Sequence, residues 1–165
     1  MNDNRKTKKK PSTLLTYLGE DYMTDNLKKS VRCVLQFKID MKNRLLDGIT
    51  ADDIDRALNA ASGFSCHNKM SIVDPQQQPI AVRAVTIAKA TLSPQDDYNE
   101  ELGKSIAQSR AQANAFAWAE EFFVQLANIH SERTNTMKAI ARCESEAADT
   151  CVKKANELGD LPKNT

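Results

Sequence analysis

A chain of 165 residues with a formal net charge of +1 is long enough for one packed domain and too neutral to draw a polyanion to its whole surface. Five glycines and five prolines favour helices, no apolar run reaches the ~18 residues of a transmembrane helix, and the charged N-terminus lacks the apolar segment of a secretory signal. Cys33, Cys66, Cys143 and Cys151 form no CxxC pair, so free thiols in a reducing cytoplasm are expected.

Residues 1–11 read as a disordered basic arm. Arg5, Lys6, Lys8, Lys9 and Lys10 stand against Asp3 alone, Pro11 closes the run, and the rest of the chain is left slightly acidic. Such an arm either solvates the chain or neutralises phosphates without reading sequence. A single α+β domain over 12–159 follows, and 160–165 is a tail. Within the domain, 31–92 is expected to hold the sheet with an inserted helix, and 94–158 a helical hairpin. Ser12 to Lys29 reads as a short helix carrying Leu14, Leu15 and Leu18, then a loop, with Met23 as an alternative start.

Val31 to Met41 is the clearest strand. Val31, Cys33, Leu35, Phe37, Ile39 and Met41 alternate with Arg32, Gln36, Lys38 and Asp40, and only Val34 breaks the polar parity. One face then meets a core and the other meets solvent, as in an antiparallel sheet. Arg32 and Lys38 make the outer face basic, but it lacks the exposed rings on which single-stranded nucleic acid stacks. Asp47-Gly48 forms a turn, and Thr50 caps a helix over 51–61 whose stripe is Ile54, Ala57, Leu58 and Ala61. Asp52, Asp53 and Asp55 lack the glycine and glutamate of a calcium loop, and they suit the positive end of the helix dipole. Gly63 ends this helix.

Phe64 to Val73 reads as a second strand, DPQQQP as a loop, and Ile80 to Leu92 as the returning strand. On the last of these, Arg83 and Lys89 share one parity with Val85 and Ile87. The other parity is Ile80, Val82, Ala84, Ala88, Ala90 and Leu92, a small, smooth face that suits a helix packed close. Ser93-Pro94 with Asp96, or Asp97 with Glu100, supplies a helix start. The helix from Glu101 to Ile129 carries an apolar arc of roughly 180°, wider than the ~100° of an ordinary surface helix, which predicts contact with both the sheet and another helix. Trp118, Phe122, Leu126 and Ile129 fall together on it. After a turn at His130 and Ser131, a further helix over 132–158 has Met137, Ile140, Ala141, Ala148, Cys151, Ala155 and Leu158 near one seam.

No catalytic constellation is legible. His67 follows Cys66 directly, and neighbours on a strand point to opposite faces. His130 lies at a helix end, where histidine complements the dipole. Cys66, His67, Cys143 and Cys151 give no zinc-ligand spacing, and Walker, GxGxxG and GxSxG motifs are absent. No catalytic residue, cofactor or metal ligand is therefore assigned, and a non-enzyme is expected.

The segment VTIAKATLSPQDDYNEELGKSIAQSRA resembles a strand–SPxD–helix signature of small uncharacterised phage or prophage proteins, through Lys89, Ser93, Pro94, Asp96, Gly103, Ile106, Ala107 and Arg110. The resemblance covers about a sixth of the chain and implies a bacterial or phage source, and hence the cytoplasm of a bacterial host cell, with an accessory role. The expected architecture is an α+β domain: a small, mainly antiparallel sheet starting near Val31, Phe64 and Ile80, covered by one short helix and a C-terminal long-helix hairpin. The expected function is non-catalytic protein binding, as a regulator or inhibitor of a host protein or by self-assembly. The alternative is nucleic-acid binding through Arg5, Lys6, Lys8, Lys9 and Lys10. No membrane partner is expected.

Overall fold

The computed structural model describes residues 13–63, 66–93, 97, 99–130 and 134–159. Four strands form one antiparallel sheet in the order β1-β2-β4-β3: β1 Leu15–Asp25, β2 Ser30–Asp40, β3 Cys66–Val73 and β4 Pro79–Thr91. Three α-helices accompany it: α1 Ala51–Ala60, α2 Glu100–Ile129 and α3 Thr134–Gly159. The fold is α+β with a C-terminal pair of long helices. Among the described residues no helix is long and apolar enough to cross a membrane.

One expectation is corrected. The stretch read as a short helix and loop holds β1, so the sheet begins at Leu15 and has four strands. Leu15, Tyr17 and Tyr22 lie opposite Ile39, Phe37 and Cys33 of β2, on the core side. A bulge between Tyr17 and Gly19 adds Leu18 and flips the parity, which hides the alternation from a sequence reading. Met23 sits inside this strand, so a chain starting there would lose most of it.

β2 behaves as its pattern demands. Val31, Cys33, Leu35, Phe37, Ile39 and Met41 are all buried, while Arg32, Gln36 and Asp40 are exposed. β4 presents Val82, Ala84, Thr86 and Ala90 to the same core. α2 lies on this small-residue face. A Cβ at Gly103 would stand 2.8 Å from Val31 Cγ2, and the Thr86 hydroxyl donates 2.9 Å to the Ala111 carbonyl. Farther along, Trp118 meets Phe37 edge-on at 5.9 Å and stacks on Phe122 at 5.6 Å. α3 covers the flank of α2 that the sheet leaves open, burying Met137, Ile140, Ala141, Ala148 and Ala155.

Local chemistry sets the helix ends. Thr50 and Asp53 form a reciprocal capping box on α1. The cap of α2 differs from both starts read in the sequence: Asn99 accepts from the Leu102 N–H at 3.0 Å. An Asx cap placed directly before the first turn satisfies an orphan donor without needing Asp97. Ser93 is described, whereas Pro94 and Asp96 lie outside the described residues.

Gly103 is tested by substitution. Alanine gains about 1 kcal/mol of helix propensity, but here its methyl would meet Val31. Gly103→Ala should therefore lower the unfolding free energy by about 1–3 kcal/mol in urea titrations. Adding Val31→Ala should make the glycine substitution cheaper than it is alone. Full stability of Gly103→Ala would show that helix and strand separate freely at this point.

Candidate interaction surface

α1, α2 and α3 all lie on one side of the sheet, so the other face is left without a helix among the described residues. The strand registers lay that face out in rows. Met23, Arg32 and Lys89 form one row, and Asp21, Val34 and Ile87 the next. Gln36 and Val85 follow with His67, then Lys38 and Arg83 with Met70. Arg32 thus stands directly opposite Lys89, and Lys38 directly opposite Arg83. Six residues of extended chain separate the two cation pairs, roughly 20 Å. Between them runs an apolar strip of half-buried Val34, Val85 and Ile87.

The charge arrangement is unfavourable for the isolated fold. Like charges directly opposite on neighbouring strands repel. No carboxylate comes within ion-pair distance of any of the four among the described residues. Asp21, Asp25 and Asp40 are the acidic residues on the β1 and β2 rows of this face; Asp25 accepts from the Lys28 N–H and Asp40 from the Lys42 N–H. Met23 and Met70 are about half exposed at its edges. No Phe, Tyr or Trp ring projects from these rows; their one ring is the exposed imidazole of His67.

The cations proposed from sequence as nucleic-acid contacts, Arg5, Lys6, Lys8, Lys9 and Lys10, lie outside the described residues. Arg32, Lys38, Arg83 and Lys89 are brought together instead, and no sequence reading joined the two strands, because the strand order was open. Two residues of the phage-like segment also meet: Arg110 Nη1 donates 2.9 Å to the Lys89 carbonyl.

Among the described residues Cys66 and His67 do not come together as a nucleophile and base. Cys66 pairs with Thr86 on the core side and His67 with Val85 on the outer side, so the two point apart as expected. Burial pushes the Cys33 thiol up to about 11 and the Cys66 thiol up to about 12, which keeps both protonated near neutrality. No disulfide joins the four cysteines. Among the described residues no three His, Cys, Asp or Glu side chains cluster as metal ligands do. His130 does more than follow a helix end. Its N–H caps α2 on Leu126, and its Nε2 stands 2.6 Å from Asp53 Oδ2, at ion-pair distance but off the line of an aligned hydrogen bond. Burial opposes charge on Asp53, but hydrogen bonds from Thr50 and the neighbouring His130 outweigh it and hold the carboxyl below its usual range.

Glu144 was missed altogether. It is fully buried on the α3 seam, and its Oε1 accepts from the Leu14 N–H at 3.1 Å while Oε2 has no partner. Burial raises its pKa, and hydrogen bonds from Thr13 and Leu14 offset this only in part. Its position in the heptad-like run ARCESEA gives no signal, because the partner is backbone more than a hundred residues away. Comparison with known proteins finds no matching family, no similar curated protein and no similar solved structure.

Two stability measurements follow. Lys38→Thr with Arg83→Thr should raise the unfolding free energy by about 0.5 kcal/mol at low salt, with a smaller gain at high salt as screening weakens the repulsion. A loss would make these cations structural. For Glu144, a folded-state pKa above the usual ~4.3 means that stability falls as pH rises from there through the folded value. Glu144→Gln should therefore be more stable than the parent chain at pH 7, and the advantage should shrink towards pH 4. A variant weaker at pH 7 would show that the charged carboxylate is needed to hold the start of β1.

Proposed function

We propose that the chain is a non-catalytic accessory binding protein of a phage or mobile element, and that it holds an acidic protein partner on the uncovered face of its sheet. The observation that carries this reading is the pair of like-charge juxtapositions, Arg32 with Lys89 and Lys38 with Arg83, set around an apolar strip and with no carboxylate at ion-pair distance among the described residues. A partner carboxylate relieves such repulsion, and the strip of Val34, Val85 and Ile87 gives an apolar surface its counterpart. The phage-like segment supports the accessory role, as a regulator or inhibitor of a host protein.

Self-assembly through this face is disfavoured, because two copies would bring cations onto cations. Nucleic acid would gain from the cations and from the basic run Arg5 to Lys10. It would leave the apolar strip unused, and the rows of this face offer no Phe, Tyr or Trp ring for base stacking, only the imidazole of His67.

The test compares the parent chain with Lys38→Glu, Arg83→Glu. Both changes lie at the solvent side of the sheet, and circular dichroism checks the fold. Partners cross-linked in a host lysate should be identified, purified and titrated. The reading expects an acidic protein bound at least tenfold more weakly by the variant, with affinity falling as salt rises. Undiminished binding by the variant would overturn it. So would a nuclease-sensitive partner, or gel shifts showing that duplex or single-stranded oligonucleotides bind more tightly than any protein.

A further inference from the structure

One of the two cation pairs lines a cleft. At the end of the β1–β2 hairpin, Met23, Asp25, Lys28, Arg32 and Lys89 line a cleft of about 220 Å³. The walls come from three separate places in the chain. The hairpin turn, in which Lys29 adopts a φ of 45°, brings Lys28 over the end of the sheet. Arg32 and Lys89 come from neighbouring strands, and Arg110 of α2 holds the Lys89 backbone through its carbonyl. Asp25 is already engaged: its Oδ1 accepts from the Lys28 N–H at 3.1 Å, and its Oδ2 lies 3.8 Å from Lys28 Nζ.

Three cations against one carboxylate leave the cleft with a local charge of +2. A phosphomonoester carries about −1.5 to −2 at neutral pH, so it matches that excess where a single carboxylate does not. Arg32 supplies the planar fork that takes phosphate oxygens in pairs, and the lysines add point charges. Met23 offers an apolar contact to the stem that carries the phosphate. We infer that the cleft binds a phosphomonoester group on a side chain of the partner protein, so that phosphorylation of that partner would control docking. The inference rests on the reading of the outer face as a protein-binding surface.

The experiment uses the full chain and follows amide NMR shifts and the thermal midpoint. Inorganic phosphate is titrated against chloride at matched ionic strength, followed by a phosphoserine peptide, its unphosphorylated form and a 5′-mononucleotide. Phosphate should raise the midpoint where chloride does not, and the phosphoserine peptide should bind at least tenfold more tightly than the unphosphorylated one. Arg32→Gln and Lys89→Gln should each remove most of the effect, while Lys38→Thr with Arg83→Thr keeps it. Should either glutamine variant prove poorly folded, the exposed Lys28→Gln gives the same comparison. Phosphate acting no differently from chloride overturns the inference, as does unchanged binding by the glutamine variants. A mononucleotide preferred over the phosphopeptide overturns the assignment to a protein side chain. If phosphate fails while charge reversal at Lys38 and Arg83 still abolishes partner binding, only the cleft falls.

Discussion

The near-contact of α2 with β2 at Gly103, where the helix has no Cβ and Val31 fills the space, sets how deeply the helix lies on the sheet. From that depth the rest follows. Ala107 and Ala111 settle onto the small residues of β4, close enough for the Thr86 hydroxyl to reach a helix carbonyl. Farther along, the larger gap between helix and strand is filled by Trp118, Phe122 and Phe37. A helix held this tightly on one flank still has apolar residues on the other, and α3 must cover them. All three helices therefore end on the same side, and the opposite face of the sheet keeps its charged side chains in water.

The core tolerates polar defects because the apolar terms around them are larger. Trp118 is fully buried and its Nε1 has no hydrogen-bond partner. An orphaned donor costs about 1–3 kcal/mol. Burying about 200 Å² of ring at ~25 cal/mol per Å² contributes about 5 kcal/mol, and the aromatic contacts add to it. Burial wins, and the ring stays. Glu144 is a different case, since a buried carboxylate is costlier than an indole N–H and one of its oxygens is orphaned. What it provides is a link between α3 and the first residues of β1, the strand with the fewest contacts to the helical layer.

Legibility in the sequence followed the strength of each local pattern. β2 was plain because its six apolar residues alternate without a break on one face, and α1 was plain because Thr50 and Asp53 sit three residues apart at its start. The wide arc of α2 correctly implied two packing partners. β1 was misread because Leu14, Leu15 and Leu18 mimic helical spacing, while the bulge at Leu18 breaks the period of two. Glu144 and the Asp53–His130 contact were invisible, since each joins residues that only the folded chain brings together. The candidate surface was half legible. Arg32 and Lys38 were placed on an outer face, as were Arg83 and Lys89, but that the two rows are neighbours depends on β4 pairing with β2, and no local pattern encodes strand order.

Leu14 and Leu15 lie beside Asp40 and Ile39, so β1 begins at the Lys38–Arg83 end of the sheet. The cleft with Lys28, Arg32 and Lys89 is at the other end, roughly 20 Å away by strand rise. On the reading proposed here, an acidic partner lying along the strands would meet a shaped, doubly charged site at one end and a looser field of cations at the other. Short-range matching in the cleft would fix where the partner sits. The cations at the opposite end would act through longer-range attraction, which salt screens over about 10 Å at 0.1 M and which governs the rate of encounter more than the lifetime of the complex.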